Sequence, residues 1–309
     1  MLIILNPNAA GETAMKKWNK INRLFRQSTP PFIVHTMKGK ADSERFILSA
    51  IRNGETDFVA GGGDGTVNLI LNFLMKSLSD DQKNTIRFGA IGLGSSNDFH
   101  KPFNKHQFIN DIPFNIDFDN AKPRDIGMIT FNGNGKQSTK YFLTNSSAGV
   151  TADANRFFNQ PDDILKNLKR FSAPLAILYA AFKTVLTHRN IEVTISSDET
   201  GPFKTSLSNI AILKNPYFSG SLRFSSEVKH DDGRFDIHLS QGMDKLELVS
   251  LLWKLSTDIS NNINKMNSWS TRAIIVSSSK PFNIEFDGEI IKTTSAQFQV
   301  LPQYLKVCQ

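Results

Sequence analysis

Apolar and polar positions in the first third of the chain switch regularly between two periods. Leu2–Leu5 is a continuous apolar run that stops at Asn6-Pro7, the mark of a short buried strand. From Ala14 to Phe25, Met15, Trp18, Ile21, Leu24 and Phe25 share one side at helical spacing, which predicts an amphipathic helix broken by Pro30-Pro31. Phe32–Thr36 reads as a second strand and Ala41–Arg52 as a second helix closed by Asn53-Gly54. Asp57–Ala60 is a third strand that runs straight into Gly61-Gly62-Gly63-Asp64-Gly65-Thr66, after which Val67–Leu78 predicts a helix and Phe88–Gly92 a fourth strand. Alternation of this kind implies an α/β domain with a parallel sheet, whose ligands sit beyond the carboxyl ends of the strands. Asn6-Pro7, Gly61–Thr66 and Gly92–Asp98 all fall at that edge.

After about residue 125 the texture changes. Tyr141–Thr144, Ile191–Ile195, Ser208–Leu213, Phe235–Leu239, Ala273–Val276 and Phe282–Phe286 read as strands separated by Asn/Gly/Ser turns, a β-rich, sandwich-like second domain. Two helices interrupt it, Asp162–Thr187 with Pro174 inside and Lys245–Ile263. A last strand near Gln297–Leu301 is free to rejoin either domain.

Composition narrows the class. The chain has 309 residues, enough for two domains, and 39% apolar residues with 24 Phe among them, which excludes a disordered chain. A net charge of +7 favours anionic partners such as nucleotides or acidic lipid headgroups, or serves only solubility. No Lys/Arg-rich run reads as a nucleic-acid tail, so no nucleic-acid partner is expected. The one cysteine, Cys308, rules out disulfides within the chain and reads as inert. The N-terminal apolar run is too short for a signal peptide, and no stretch is long enough to span a membrane, so a cytoplasmic protein is expected. The stripe Leu165, Leu168, Phe171, Leu175, Leu178, Phe182 and Leu186, flanked by Lys166, Lys169, Arg170 and Lys183, suits either core packing or a membrane surface. His35, His188 and His230 have no metal-ligand spacing and read as structural or exposed.

The glycine loop carries the chemistry. Three glycines after a buried strand let the backbone turn tightly and approach a ligand, and the following helix N-terminus adds an anion cradle. There is no lysine of the P-loop kind. Asp64 would repel phosphate unless a cation lies between them, so it reads as a carboxylate acting through Mg²⁺, or else as a helix cap.

Gly-Gly-Asp-Gly-Thr at Gly62–Thr66 resembles the nucleotide loop of the diacylglycerol-kinase-like lipid kinases, the family of bacterial diacylglycerol kinases and sphingosine kinases. Four more segments match in order: Asn6-Pro7-Asn8-Ala9-Ala10-Gly11, Gly92-Leu93-Gly94-Ser95-Ser96-Asn97-Asp98-Phe99, Lys229-His230-Asp231-Asp232-Gly233-Arg234-Phe235-Asp236 and Phe286-Asp287-Gly288-Glu289. Each alone is weak; five collinear matches across nearly the whole chain are specific. The last two set the lipid-kinase branch apart from the NAD kinases.

The resemblance implies two domains, an ATP-binding α/β domain at 1–127 completed by 292–309 and a β-sandwich-like acceptor domain at 128–291. It implies ATP contacts at Asn6, Pro7, Asn8, Gly11, Thr36, Gly62, Gly63, Asp64, Gly65, Thr66, Val67, Asn68 and Ser95. Asp64, Asp98 and Asp125 match an acidic network around a catalytic Mg²⁺, and Asp287 the base, with Glu289 beside it. On an extended strand the last two would share a face, whereas Asp287-Gly288 alone reads as a hairpin turn. A second, structural Mg²⁺ is implied on the Asp232 side chain and the carbonyls of Lys229 and Arg234. The implied reaction is transfer of the ATP γ-phosphate to a lipid hydroxyl, such as that of diacylglycerol, with peripheral contact to the inner face of a membrane. Homodimerisation is left open. The pattern departs from the family at Leu69, where Glu is usual, at Ala10, at Ser95-Ser96 and at Lys101 after His100. Two alternatives stay in view: a kinase of a soluble acceptor, against which the Asp-Asp-Gly and Asp-Gly-Glu segments speak, and a non-catalytic nucleotide- or lipid-binding relative, which Leu69 supports.

Overall fold

The computed structural model describes residues 1–29, 31–83, 85–133, 135–220, 222–257 and 264–308. They form two compact units, Met1–Asp125 with Gln303–Gln309, and Ile126–Pro302.

In the first unit Ile33–Thr36, Leu2–Leu5, Asp57–Gly62 and Arg87–Gly92 pair side by side in parallel, with Leu5 opposite both Thr36 and Gly61, and Gly61 opposite Ile91. Their carboxyl ends therefore share one edge. The sheet is mixed rather than wholly parallel. The chain reverses at Asn110-Asp111, both left-handed (φ 46° and 63°), and Ile112–Asn115 returns antiparallel against Ala90-Ile91. The helix Ala14–Ser28 lays Trp18, Ile21 and Phe25 on this sheet, against Ile3, Leu5, Val59 and Ile91. Trp18 and Phe25 meet edge-to-face at 5.7 Å, and Phe25 meets Phe32 likewise at 5.4 Å. Each such ring removed from water stabilises the unit by roughly 2 kcal/mol.

The segment that completes this unit is Gln303–Gln309, shorter than the 292–309 implied by the resemblance. The strand Glu289–Val307 stays paired with Ala273–Phe286 as far as Gln299, so most of it belongs to the second unit. Beyond Gln303 (φ 47°), Lys306 and Val307 pair in parallel with Arg87 and Phe88. Cys308 follows, buried, its amide donating to the Phe88 carbonyl at 2.9 Å. Burial pushes its thiol up to about 12, so it stays protonated and unreactive at neutral pH.

The second unit pairs its strands antiparallel. Phe203–Leu213 has Phe235–Gln241 on one edge and, end to end on the other, Ile191–Ser197 and Asn145–Gly149, both of which also pair with Ala273–Phe286. Ile129, Phe142, Ile210, Ile237, Ile284 and Phe298 form its core. The sequence pattern predicts one strand over Tyr141–Thr144. Instead Lys136–Phe142 stops, and Asn145–Gly149 begins after a break at Leu143-Thr144, where the backbone N–H groups turn away from the ladder. Three further elements, Lys122–Gly133, Val150–Asn159 and Met266–Thr271, come in addition to those the sequence pattern predicts.

The helices differ from the sequence reading at their ends. The glycine-loop helix starts at Asp64 rather than Val67 and runs to Ser77. Asp162–Thr187 is two helices, Asp163–Phe171 capped by Asp162 and Ala173–Thr187 capped by Ser172. Lys245–Ser256 opens on an Asp244/Glu247 capping box; the expected last turn at 258–263 lies outside the described residues, as do Pro30 and the side chains of Arg170 and Pro174. The apolar stripe splits. Leu165 is buried, but Phe171 is 84% exposed and Leu175, Leu178, Phe182 and Leu186 are also exposed. Core packing therefore accounts for only part of it. No helix among the described residues is long and apolar enough to cross a membrane.

Candidate active site

Two loops cross at the carboxyl edge of the first unit. A Cβ on Gly63 would stand 3.0 Å from the Gly94 Cα, and one on Gly94 would overlap the Gly63 Cα. The backbones touch where only glycine fits. The Leu93 and Gly94 amides donate to the Gly62 carbonyl at 2.8 and 3.1 Å, locking the loops together. Asn97, left-handed at φ 52°, closes the second loop: its Nδ2 donates to the Gly92 carbonyl at 3.1 Å, and its Oδ1 accepts from the Gly94 amide at 3.1 Å. Lys17 reaches across to donate to the carbonyls of Gly94 (2.6 Å) and Leu93 (3.2 Å), and burial holds its ammonium below the usual lysine range. The first loop joins through Asn6, whose Nδ2 donates to Thr66 Oγ1 at 2.9 Å and whose Oδ1 turns back the Asn8 amide at 3.1 Å.

The face of these loops is open. A Cβ on Gly65 or Gly11 would meet nothing within 4 Å, and Asn8, Gly11, Thr36, Gly65 and Ser95 are exposed. The amides of Thr66 and Val67 are spent on the Gly63 carbonyl (2.8 and 3.1 Å), while the first amides of a helix have no partner within it. An anion meeting this edge therefore finds a helix N-terminus and main-chain N–H groups. Val67 and Asn68 turn their side chains inward, and Asn68 instead holds Asn72.

Asp64 and Asp98 meet at one turn, while Asp125 stands on a neighbouring strand. Asp64 Oδ1 accepts from the Phe99 amide at 3.0 Å, and Asp98 begins that same turn. Asp98 is buried in an ion pair with Lys101 at 2.7 Å. Asp125 is fully buried and accepts from the Gln303 amide at 2.9 Å, which ties down the returning segment. Arg124, next to it, lies over the Phe99 ring at 5.7 Å. His100 packs behind this turn against Asn115, and burial lowers its pKa to about 4. Glycine and acid patterning pointed to the loops that meet here. Lys17 and His100 left no signal, because their partners, the Leu93 and Gly94 carbonyls and Asn115, lie elsewhere in the sequence; Asn97 stands in a matched segment, but its role in closing the loop shows only in the fold.

In the second unit Asp287 and Gly288 are the two central residues of a tight hairpin (φ 44° and 88°), with Phe286 paired directly to Glu289. The extended face shared by Asp287 and Glu289 is therefore corrected: the Asp-Gly dipeptide satisfies a turn with two left-handed residues, and a turn sends the pair apart. The Asp287 carboxylate is buried and accepts from the amides of Leu143 (2.7 Å), Thr144 (3.0 Å) and Asn145 (3.1 Å), and from the Thr144 hydroxyl. Burial pushes its pKa above the ordinary carboxylate value against these donors. The buried Glu285 accepts from the Gly288 amide at 2.7 Å and steadies the same turn.

A cavity of about 360 Å³ lies beside the helices of this unit, bounded in part by Asp153, Arg156, Lys183, Thr184 and His188. His188 Nδ1 pairs with Asp153 Oδ2 at 3.0 Å, while His188 Nε2 and Thr184 Oγ1 are buried without a partner among the described residues. His35 stacks on Phe46 and pairs with Asp42, and His230 donates to the Lys214 carbonyl. At the segment expected to hold a structural cation, Lys229 is exposed, and Asp232 Oδ1 and the Arg234 carbonyl both accept from Lys214 Nζ, at 3.0 and 2.8 Å.

Comparison with known proteins agrees with this layout. Residues 1–129 match the diacylglycerol kinase catalytic domain, and residues 144–309 the YegS C-terminal NAD kinase beta sandwich-like domain. A "Diacylglycerol kinase" of Staphylococcus haemolyticus (strain JCSC1435) is 22% identical over 317 residues, covering 99% of this chain and 87% of its own. The "Probable lipid kinase YegS-like" protein of Shewanella frigidimarina (strain NCIMB 400) is 25% identical over 266 residues, covering 86% and 80%. Among solved structures, one from Bacillus anthracis str. Sterne superposes with a TM-score of 0.72 at 18% identity, over 99% of this chain and 94% of that one. A diacylglycerol kinase from the same organism gives 0.65 at 16%, over 99% and 95%. At such identities the structural matches carry the fold alone; the two domain models carry the family, and the chain belongs to the diacylglycerol-kinase-like lipid kinases.

Proposed function

We propose that this protein transfers the γ-phosphate of ATP to the hydroxyl of a lipid such as diacylglycerol. The observation that carries the reading is the crossing of Gly63 and Gly94, which presents bare backbone and a helix N-terminus to an open face. Such a surface suits phosphate, which needs N–H donors at close approach.

The donor set fits both nucleotide and metal. Asn6, Asn8, Gly11, Thr36, Gly65 and Ser95 line the open face for ATP, and Asp64 would hold Mg²⁺ together with the phosphates and water, Asp98 and Asp125 being engaged by Lys101 and the Gln303 amide. That ion supplies neutralising charge to the phosphates when bound. The chain's own residues do the rest. Asn6 and Thr66 fix the first loop against the helix start. Lys17 and Asn97 hold the second loop in place, so the cradle exists before nucleotide arrives.

In the second unit, Asp287 is the candidate base. Its raised proton affinity suits accepting a hydroxyl proton, and the amides of 143–145 orient it. Glu289 adds charge next to the turn. The cavity beside Asp153 and His188 offers buried polar atoms without partners among the described residues, the lining that fixes a polar headgroup. The exposed Phe171, Leu178 and Phe182, with Lys166 on the preceding helix, suit contact with an anionic membrane surface.

The test is radiolabelled ATP, Mg²⁺ and vesicles carrying diacylglycerol or a total lipid extract, followed by organic extraction. Label in the lipid phase that is lost in Asp64→Ala and Asp287→Ala supports the reading. ATP binding with no labelled lipid from any extract would sink it.

A further inference from the structure

The family resemblance puts a structural Mg²⁺ on Asp232 and on the carbonyls of Lys229 and Arg234, and the fold of this chain puts something else against two of those three ligands. Lys214 follows the strand Phe203–Leu213, and its side chain is wholly buried. Its amide donates to the Thr144 carbonyl at 2.8 Å, and its own carbonyl accepts from His230 Nδ1 at 2.7 Å. The backbone is thus held at both ends, and the side chain is aimed into the Asp232 turn. There Nζ donates to Asp232 Oδ1 at 3.0 Å and to the Arg234 carbonyl at 2.8 Å. The Arg234 amide donates to the same Asp232 oxygen at 3.1 Å.

These are ammonium distances. Mg²⁺ binds oxygen at about 2.0–2.1 Å and demands octahedral coordination, whereas N⁺–H···O bonds run near 2.8–3.0 Å. A divalent ion and the ammonium cannot share these oxygens without strong like-charge repulsion. The Asp232 carboxylate already meets a positive charge, that of Lys214.

We infer that Lys214 is a tethered cation that takes the place of the structural Mg²⁺, so that the Asp231–Arg234 turn of this chain forms without divalent metal. A free ion is lost when its concentration falls; a covalently attached ammonium is not. The residues therefore do not fit a metal at this turn. The inference concerns the second unit's folding and stands whether or not the proposed lipid is the acceptor.

The experiment is thermal unfolding of the nucleotide-free full chain in excess EDTA and in excess MgCl₂, with elemental analysis of the dialysed protein. The expected result is the same Tm in both and no stoichiometric Mg²⁺. A wild-type Tm that falls in EDTA and recovers with Mg²⁺ overturns the inference. Lys214→Met keeps the apolar stem and removes the charge, and is expected to lower the Tm in EDTA by roughly 5 °C or more and to regain part of it in Mg²⁺. Unchanged stability of that variant in EDTA, or no response to Mg²⁺, would also overturn it. If the variant fails to fold, the wild-type comparison still decides.

Discussion

Adding one methyl group at Gly94 tests whether the loop crossing is the nucleotide cradle. The new Cβ would stand 2.9 Å from Asn97 Oδ1 and 3.1 Å from the Gly63 nitrogen, and nearer still to the Gly63 Cα. Carbon–carbon contacts settle at about 3.5–4.0 Å, so the two backbones must part by more than about 0.5 Å. Neither is a flexible side chain that can swing aside. Overpacking of this kind costs about 1–3 kcal/mol, a Tm lower by roughly 3–10 °C in a chain of this size. Gly65→Ala is the counterpart. Its Cβ meets nothing within 4 Å, and it lies in the first turn of a helix. It should leave the fold intact or stabilise it by up to about 1 kcal/mol. The same Cβ points into the open face, so ATP binding should weaken at least tenfold. Scanning calorimetry reads the stability and titration calorimetry the affinity. A Gly65→Ala protein that binds ATP as the wild type does would refute the placement of phosphate on this face.

The Asn6–Thr66 bond joins two loops across 60 positions of sequence. Asn6→Ala, Thr66→Val and the double variant should show a coupling of about 1 kcal/mol in ATP affinity; additive losses would mean the bond plays no part in the cradle. His100 and His238 are buried with pKa values lowered to about 4, by burial in both cases, while the unfolded chain takes up their protons near 6.5. Between those values the unfolded state binds more protons, so stability is full above about pH 7 and falls with acidification, by about 2 kcal/mol per histidine at pH 5. Urea titrations across pH should give that slope, and His238→Gln should flatten it. Asp287→Ala leaves the amides of Leu143, Thr144 and Asn145 without their acceptor, and should cost about 3 kcal/mol or more. Asp287→Asn, which restores an acceptor oxygen, should recover part of the stability and none of the lipid phosphorylation; an Asp287→Asn protein that phosphorylates lipid as the wild type does would remove Asp287 as the base.

Sequence by itself determined the local physics. Apolar runs at Leu2–Leu5 and Asp57–Ala60 and the helical stripe of Trp18, Ile21 and Phe25 specify a strand–helix alternation, because burial pattern and backbone period are written in neighbouring residues. The glycines at Gly61–Gly63 and Gly94 announce close backbone approach, since no other residue tolerates it, and the Asp-Gly pair at Asp287 announces a two-residue turn. Only the tertiary structure decided which partners these residues meet. It turned Leu143-Thr144 out of its strand toward Asp287, carried Lys17 to the Gly94 carbonyl and Asp125 to Gln303, and brought Lys214 to Asp232. Those pairs lie 18 to 178 positions apart. No local period encodes such a distance; it follows from how strands align and where side chains find a buried oxygen to satisfy.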